Sequence, residues 1–328
     1  MRKAVLFSGL LLISCSFLFA QHSNGLGSSG RAVGTENDDP SQLPPKQALS
    51  EDEPEEPDFA FIAGGPYTQK KNSIQFIFPT QWGRRTSNLS GGTLQHAEFG
   101  TLLRTEWGLA DRWELDVICS AEGERDLLGR RKLISTFAVA DSVVGVRYRL
   151  LQESWAPLTL AMGPQIILPT GGFLSGTGME SVGYAWDIAT AKDWGGPVFA
   201  YSSLNYTFFP SVRAPGLTRR FNLQNVFWGS ALGLRPLEKD RGPNHHDVHI
   251  FLEYGLGREE GLEADGPIRK AAETVSLFAP GIRYGFLTRT KKLFEIGVSF
   301  PIGLNRQTPR GGVIVQLQFE NVFGYRPQ

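Results

Sequence analysis

The sequence predicts an all-β chain, an antiparallel transmembrane β-barrel of about twelve strands. Three observations carry this reading. From Phe59 onward, apolar and polar residues alternate with period two in one run after another. The apolar face of those runs carries almost no charge. Tight and long connections alternate between the runs, as periplasmic turns and outer loops do in outer-membrane barrels. The run from Gly312 to Phe323 shows the pattern most plainly. Val313, Val315, Leu317 and Phe319 share one face, and Gln316, Gln318 and Glu320 the other.

The N-terminus bears on the compartment. Arg2 and Lys3 precede a nearly continuous apolar run from Ala4 to Ala20, which reads as a secretory signal peptide over residues 1–20. Leu12-Ile13-Ser14-Cys15 offers a second reading, a lipoprotein box with Cys15 lipidated, although the apolar run continues through Phe19. After Ala20 no apolar run is long enough for a transmembrane helix, which leaves a soluble secreted chain or a barrel. Residues 21–57 are Gly, Ser, Asn, Asp, Glu and Pro with almost nothing to bury, and read as a disordered periplasmic leader. The functional alternatives for that leader are a tether or a partial plug of a pore. Residues 58–328 form the barrel.

Formal net charge is zero, which speaks against a nucleic-acid partner. With Cys15 in the signal, Cys119 stands alone, so a disulfide framework is ruled out and Cys119 reads as a small buried or lipid-facing hydrophobe. Abundant Gly, at 38 residues, and 11 % aromatics fit an all-β chain.

The strands follow in order. Ile74, Phe76 and Phe78 alternate with Gln75. Phe99, Leu103, Trp107 and Leu109 oppose Arg104 and Glu106. A tight turn at Ala110-Asp111-Arg112 leads to Trp113, Leu115, Val117 and Cys119 alternating with Glu114, Asp116 and Ser120, which makes a hairpin. Val144, Val146, Tyr148 and Leu150 alternate with Arg147 and Arg149. Runs around Leu158–Leu168, Tyr184–Ile188 and Ala200–Phe208 keep the beat, and Phe221–Leu234 is longer and less regular. Val248–Leu256 carries His249 and Glu253 on its polar face, Phe278–Phe286 carries Arg283, and Phe294–Leu304 carries Glu295, Ser299 and Asn305. The longer connections, 83–97, 123–135, 170–183, 210–219 and 258–273, fall on the outer side, which puts both termini in the periplasm. Residues 237–246 are long for a turn, and 306–310 short for an outer loop. The last strand pairs with Ser73–Phe78 to remove both sheet edges. It also offers Phe323 as the terminal aromatic that barrel-assembly machinery reads, though Gly324–Gln328 follow it.

The predicted lumen-lining residues are Arg104, Glu106, Glu114, Asp116, Arg147, Arg149, Asp187, Glu253, Arg283, Glu295 and Glu320. Their mixed signs argue against strong ion selectivity. Trp107, Trp113, Trp155, Trp194, Tyr184, Trp186, Tyr254, Tyr284 and Phe323 lie where interfacial girdles sit.

Several short motifs together resemble a known family. They are Trp107-Gly108-Leu109-Ala110-Asp111-Arg112-Trp113-Glu114, residues 143–151 from Val143 to Leu151, Leu168-Pro169-Thr170-Gly171, residues 279–284 from Ala279 to Tyr284, and residues 295–303 from Glu295 to Gly303. The chain is similar over most of Phe59–Phe323 to bacterial outer-membrane barrels of the meta-pathway phenol-degradation, or "transporter", family. The resemblance implies an outer-membrane barrel that passes small or hydrophobic compounds. It supplies no catalytic residues.

Two constellations bear on chemistry. His245, Asp247 and His249 would share a strand face, so two imidazoles and a carboxylate offer a weak metal candidate, against solvated turn histidines as the bland alternative. His96 with Ser87 and Ser90 would be the material for a lipid hydrolase, but no motif joins them. The expectation is therefore a non-enzyme without cofactor: a passive outer-membrane channel for small solutes, hydrophobic or aromatic ones among them. Its partners would be membrane lipid, the solutes and barrel-assembly machinery. The alternative is a closed-lumen structural or surface-interaction barrel.

Overall fold

A computed structural model of the chain describes residues 60–89, 92–129, 131–172, 177–194, 197–213, 219–241, 244–263, 269–288 and 292–320. The signal, the leader and Phe323 lie outside the described residues. The strands are β1 (Ile74–Leu89), β2 (Gly92–Ala110), β3 (Trp113–Leu128), β4 (Arg131–Val139), β5 (Ser142–Leu151), β6 (Thr159–Leu168) and β7 (Gly183–Asp193). They continue as β8 (Val198–Val212), β9 (Phe221–Arg241), β10 (Asn244–Glu263), β11 (Arg269–Leu287), β12 (Leu293–Ser299), β13 (Ile302–Gly303) and β14 (Gly311–Glu320). β4 and β5 are one stave, both paired to β3 and broken at Ala140–Asp141. β12 and β13 are likewise one stave against β11, broken at Phe300–Pro301. Fourteen strands thus make twelve staves.

Each stave pairs antiparallel with the next. β14 closes the wall on β1, from Gln75 opposite Glu320 to Arg84 opposite Gly311. Every sheet edge within the membrane is thereby removed, as a bilayer requires. The predicted pairing of the last strand with Ser73–Phe78 is observed.

Connections expected as long outer loops turn out to be mostly strand. β1 and β2 stay paired as far as Leu89 opposite Gly92, and β10 and β11 as far as Glu263 opposite Arg269. The long turn at 237–246 is a strand extension too, with Leu237–Arg241 paired to Asn244–Val248. Antiparallel pairing does not stop where the apolar face stops. Beyond the bilayer the ladder continues with polar residues on both faces, which blurs the sequence signal.

The outward face is apolar. Phe78, Leu103, Ile166, Ile282, Ile296, Val315 and Leu317 are all exposed there, and Cys119 is exposed with them. Aromatics band it at two heights. Trp82 sits opposite Phe99, whose ring meets Phe137 at 5.8 Å. At the other end Trp107 is exposed, and Trp113 stacks on Tyr148 at 4.6 Å. Phe99 and Trp107 are eight residues apart on one strand. At about 3.4 Å per residue and a tilt of about 40°, the bands stand about 20 Å apart, close to the height of a bilayer-facing belt.

Candidate functional site: the barrel interior

The interior carries charge along β2–β7 and again near the periplasmic end of β10–β12. Arg104 Nε lies 2.8 Å from Glu106 Oε1, and its Nη2 donates to Asp116 Oδ2 at 3.1 Å. Arg147 Nη2 donates to Asp187 Oδ2 at 2.6 Å, and its Nη1 stands 4.0 Å from Glu114 Oε1. Nearer the periplasmic end, Arg283 joins Glu295 at 3.0 Å, Asp247 at 2.9 Å, and His249. Arg149 is buried at the lower rim and donates to Asp111 O at 2.7 Å. Glu320 is half-buried opposite Gln75. Arg104–Asp116, Arg283–Glu295 and Arg283–Asp247 join neighbouring staves, Arg147–Asp187 spans β6, and Arg104–Glu106 lies within β2, so most of the pairs tie the wall together as well as facing inward.

The other side is apolar. Phe199 and Tyr201 from β8, Phe227 and Ala231 from β9, Phe251 from β10, and Val275, Leu277 and Ala279 from β11 form one buried cluster. Against it lies the segment 60–69, which enters the barrel ahead of β1. Phe61 meets Phe251 edge to face at 6.0 Å, and Tyr67 meets Tyr201 at 6.3 Å. Ala60, Phe61, Ile62 and Ala63 are each no more than 1 % exposed.

Backbone without a ladder must find side-chain partners when buried. Glu253 supplies three of them. Its carboxylate accepts the N–H groups of Phe61 (2.7 Å), Ile62 (2.6 Å) and Ala63 (3.0 Å). Gly64 N–H donates to Ser203 Oγ at 2.8 Å, and Arg147 donates to Gly65 O at 3.3 Å. Gln69 N–H donates to Glu114 Oε2 at 2.7 Å, and the Gln69 side chain meets Gln75 and Glu106. Glu253 was expected to face the lumen. Its role as the acceptor for a plug is not in the alternation.

The wall is shaped to the plug. A Cβ on Gly229 would lie 2.9 Å from Ile62 O, one on Gly281 would lie 2.6 Å from the Phe61 ring, and one on Gly255 would lie 3.2 Å from an Ile62 methyl. Gly255 stands directly opposite Gly229. A lane of side-chain-free inward positions is a signal the sequence carried, since these glycines alternate with outward Trp228, Tyr254 and Ile282.

Asp247 and His249 converge on the Arg283 guanidinium, which takes the place a cation would hold, while His245 lies opposite Leu287. Among the described residues the carboxylates of Glu106, Glu114 and Asp116 lie within 4.8 Å of one another, with Arg104 beside them. His96 has both ring nitrogens engaged, Nδ1 with Asp126 at 2.5 Å and Nε2 with Glu98 at 2.7 Å. It sits outside the upper aromatic band. Burial opposes its charge, but the two carboxylates outweigh that and hold its pKa up at about 9. Ser87 lies opposite Leu94, and Ser90 is outside the described residues.

Closed wall, apolar outer face and paired interior charges decide the architecture. The fold is that of an outer-membrane β-barrel. A crystal structure of an outer-membrane channel from Pseudomonas putida F1 matches with TM-score 0.53 at 14 % identity, over 78 % of this chain and 97 % of that one. The translocator domain of the autotransporter NalP from Neisseria meningitidis matches at 0.44 and 10 %, over 79 % and 90 %. A mutant of the monoaromatic hydrocarbon channel TodX matches at 0.39 and 9 %, over 78 % and 91 %. No family model and no curated protein matches the chain.

Proposed function

We propose that the chain is a passive outer-membrane channel whose lumen is closed at rest by residues 60–69. The observation that carries this is the separability of plug and wall. The strand pairings close the barrel on their own. The plug adds no strand to that ladder and is held by side chains, chiefly Glu253. Such a segment can leave without breaking the membrane-spanning hydrogen bonds.

The vacated bore would be two-sided, charged along β2–β7 and largely apolar along β8–β11 apart from Glu253 and the Arg283 cluster. That suits small amphipathic solutes, aromatic or hydrophobic ones with a polar end. The resemblance of the sequence to the meta-pathway phenol-degradation family agrees with this reading. Passage would be diffusion without energy input.

Single-channel conductance in a planar bilayer tests it. The full chain should give rare, small steps, and a variant lacking residues 60–69 should give persistent larger ones. A deletion variant that folds to a heat-modifiable barrel yet stays silent would overturn the channel. It would favour the closed-lumen alternative.

A further inference from the structure

Outside the upper aromatic band, β1, β2, β3 and β4 continue as a four-stranded extension, and its inward face is rich in carboxylates around His96. Glu98 on β2, Glu122, Glu124 and Asp126 on β3 are all buried there. Glu98 stands directly opposite Glu124, which stands directly opposite Thr136 on β4. Side chains so placed have Cβ atoms about 5 Å apart, and like charges directly opposite repel.

Glu98 and Asp126 grip His96 between them. Glu124 is different. It is 6 % exposed, and its Oε2 is buried with no hydrogen-bond partner among the described residues. The Thr136 hydroxyl beside it is also buried with no partner among them. Buried polar atoms are rarely left this way, and an ion or water is the usual explanation. A carboxylate in that position is costlier still to leave alone.

We infer that Glu98, Glu124 and Thr136 form a site for a hard divalent cation, calcium by preference, at the outer rim of the barrel. All the donors are oxygens, which select hard cations over zinc or copper. The donors come from three adjacent antiparallel strands at one register level and leave most positions to water. Calcium accepts such irregular, partly hydrated shells, whereas magnesium demands near-ideal octahedral geometry. The ion would be held by Glu124 together with Glu98, which also keeps its contact to His96, and would clamp β4. That strand pairs with β3 alone, so its other edge has no strand partner among the described residues.

Titration calorimetry on the detergent-folded full chain, stripped with chelator, tests this with calcium chloride and separately with magnesium chloride. One calcium per barrel is expected, bound at least ten-fold more tightly than magnesium. In Glu98→Gln/Glu124→Gln the affinity should fall at least a hundred-fold while the heat-modifiable gel shift persists. Thr136→Val should weaken binding several-fold. Calcium should also raise the melting temperature of the unaltered chain and leave that of the double variant unmoved. Absence of calcium heat in the unaltered chain overturns the site, and so does unchanged affinity in the folded double variant. Should the double variant not fold, Thr136→Val alone decides: unchanged calcium affinity there overturns the assignment. None of these outcomes depends on whether the lumen conducts.

Discussion

The two sides of the lumen solve the same problem with opposite chemistry. Along β2–β7, buried inward charges pair with one another: Arg104 with Glu106 on its own stave and with Asp116 on the next, Arg147 with Asp187 across β6. Along β8–β11, Glu253 and the Arg283 cluster aside, they include Phe199, Phe227, Phe251 and Leu277, which are covered by Phe61 and Ile62 of the plug. Facing inward is therefore not the same as being polar. Charge pairs fasten wall to wall, and apolar contact fastens plug to wall. Lesions on the two sides should fail differently, and that difference can be tested.

The largest effect is expected from Glu253→Ala. It would leave the N–H groups of Phe61, Ile62 and Ala63 without their acceptor. At about 1–3 kcal/mol for each orphaned buried donor, docking should weaken by several kcal/mol. Open probability in single-channel records should rise more than a hundred-fold with the wall's melting temperature little changed.

Arg147→Leu attacks the opposite side. Removing one partner of a buried pair strands Asp187 and costs about 3–5 kcal/mol. The expected readout is a lower temperature for the heat-modifiable gel shift, a wall defect first and a conductance change second. Equal loss of plug and wall in both variants would erase the proposed division.

Phe61→Ala keeps the Glu253 contacts and removes the aromatic packing on Phe251. Phe-to-Ala changes in cores cost about 3–5 kcal/mol, less where the neighbours collapse into the gap. Channel openings should become frequent but brief. Gly281→Ala is the mildest, since its new methyl meets chiefly the Phe61 ring, which can turn aside, and beyond it Ser299 Cβ at 3.1 Å. Overpacking of about 1–3 kcal/mol should shift open probability modestly, and Phe61→Ala should suppress the effect.

The sequence discloses the wall better than its contents. Alternation such as Val313, Val315, Leu317 against Gln316, Gln318 survives because lipid and lumen impose opposite demands on successive residues. Where both faces are apolar, the alternation disappears. Phe221–Leu234 looked irregular because Phe221, Leu223 and Phe227 face inward while Val226, Trp228 and Leu232 face lipid. The plug has no period at all, because its backbone bonds go to scattered side chains rather than to a ladder. Glu253 and Glu295 look alike in the sequence. One holds three amides and the other holds Arg283, and only the three-dimensional arrangement separates them.

The hold of Glu253 on Phe61 also has a place in time. The two residues are 192 positions apart in the chain. The plug leads the barrel in sequence, yet its seat on β8–β11 is among the last parts to emerge. Contacts of such separation form late, because the intervening chain must first be ordered. The barrel must thus round up around an unfilled interior, or with its own leading end held within. A refolding trace followed both by gel shift and by solute leak would show closure of the wall preceding closure of the pore.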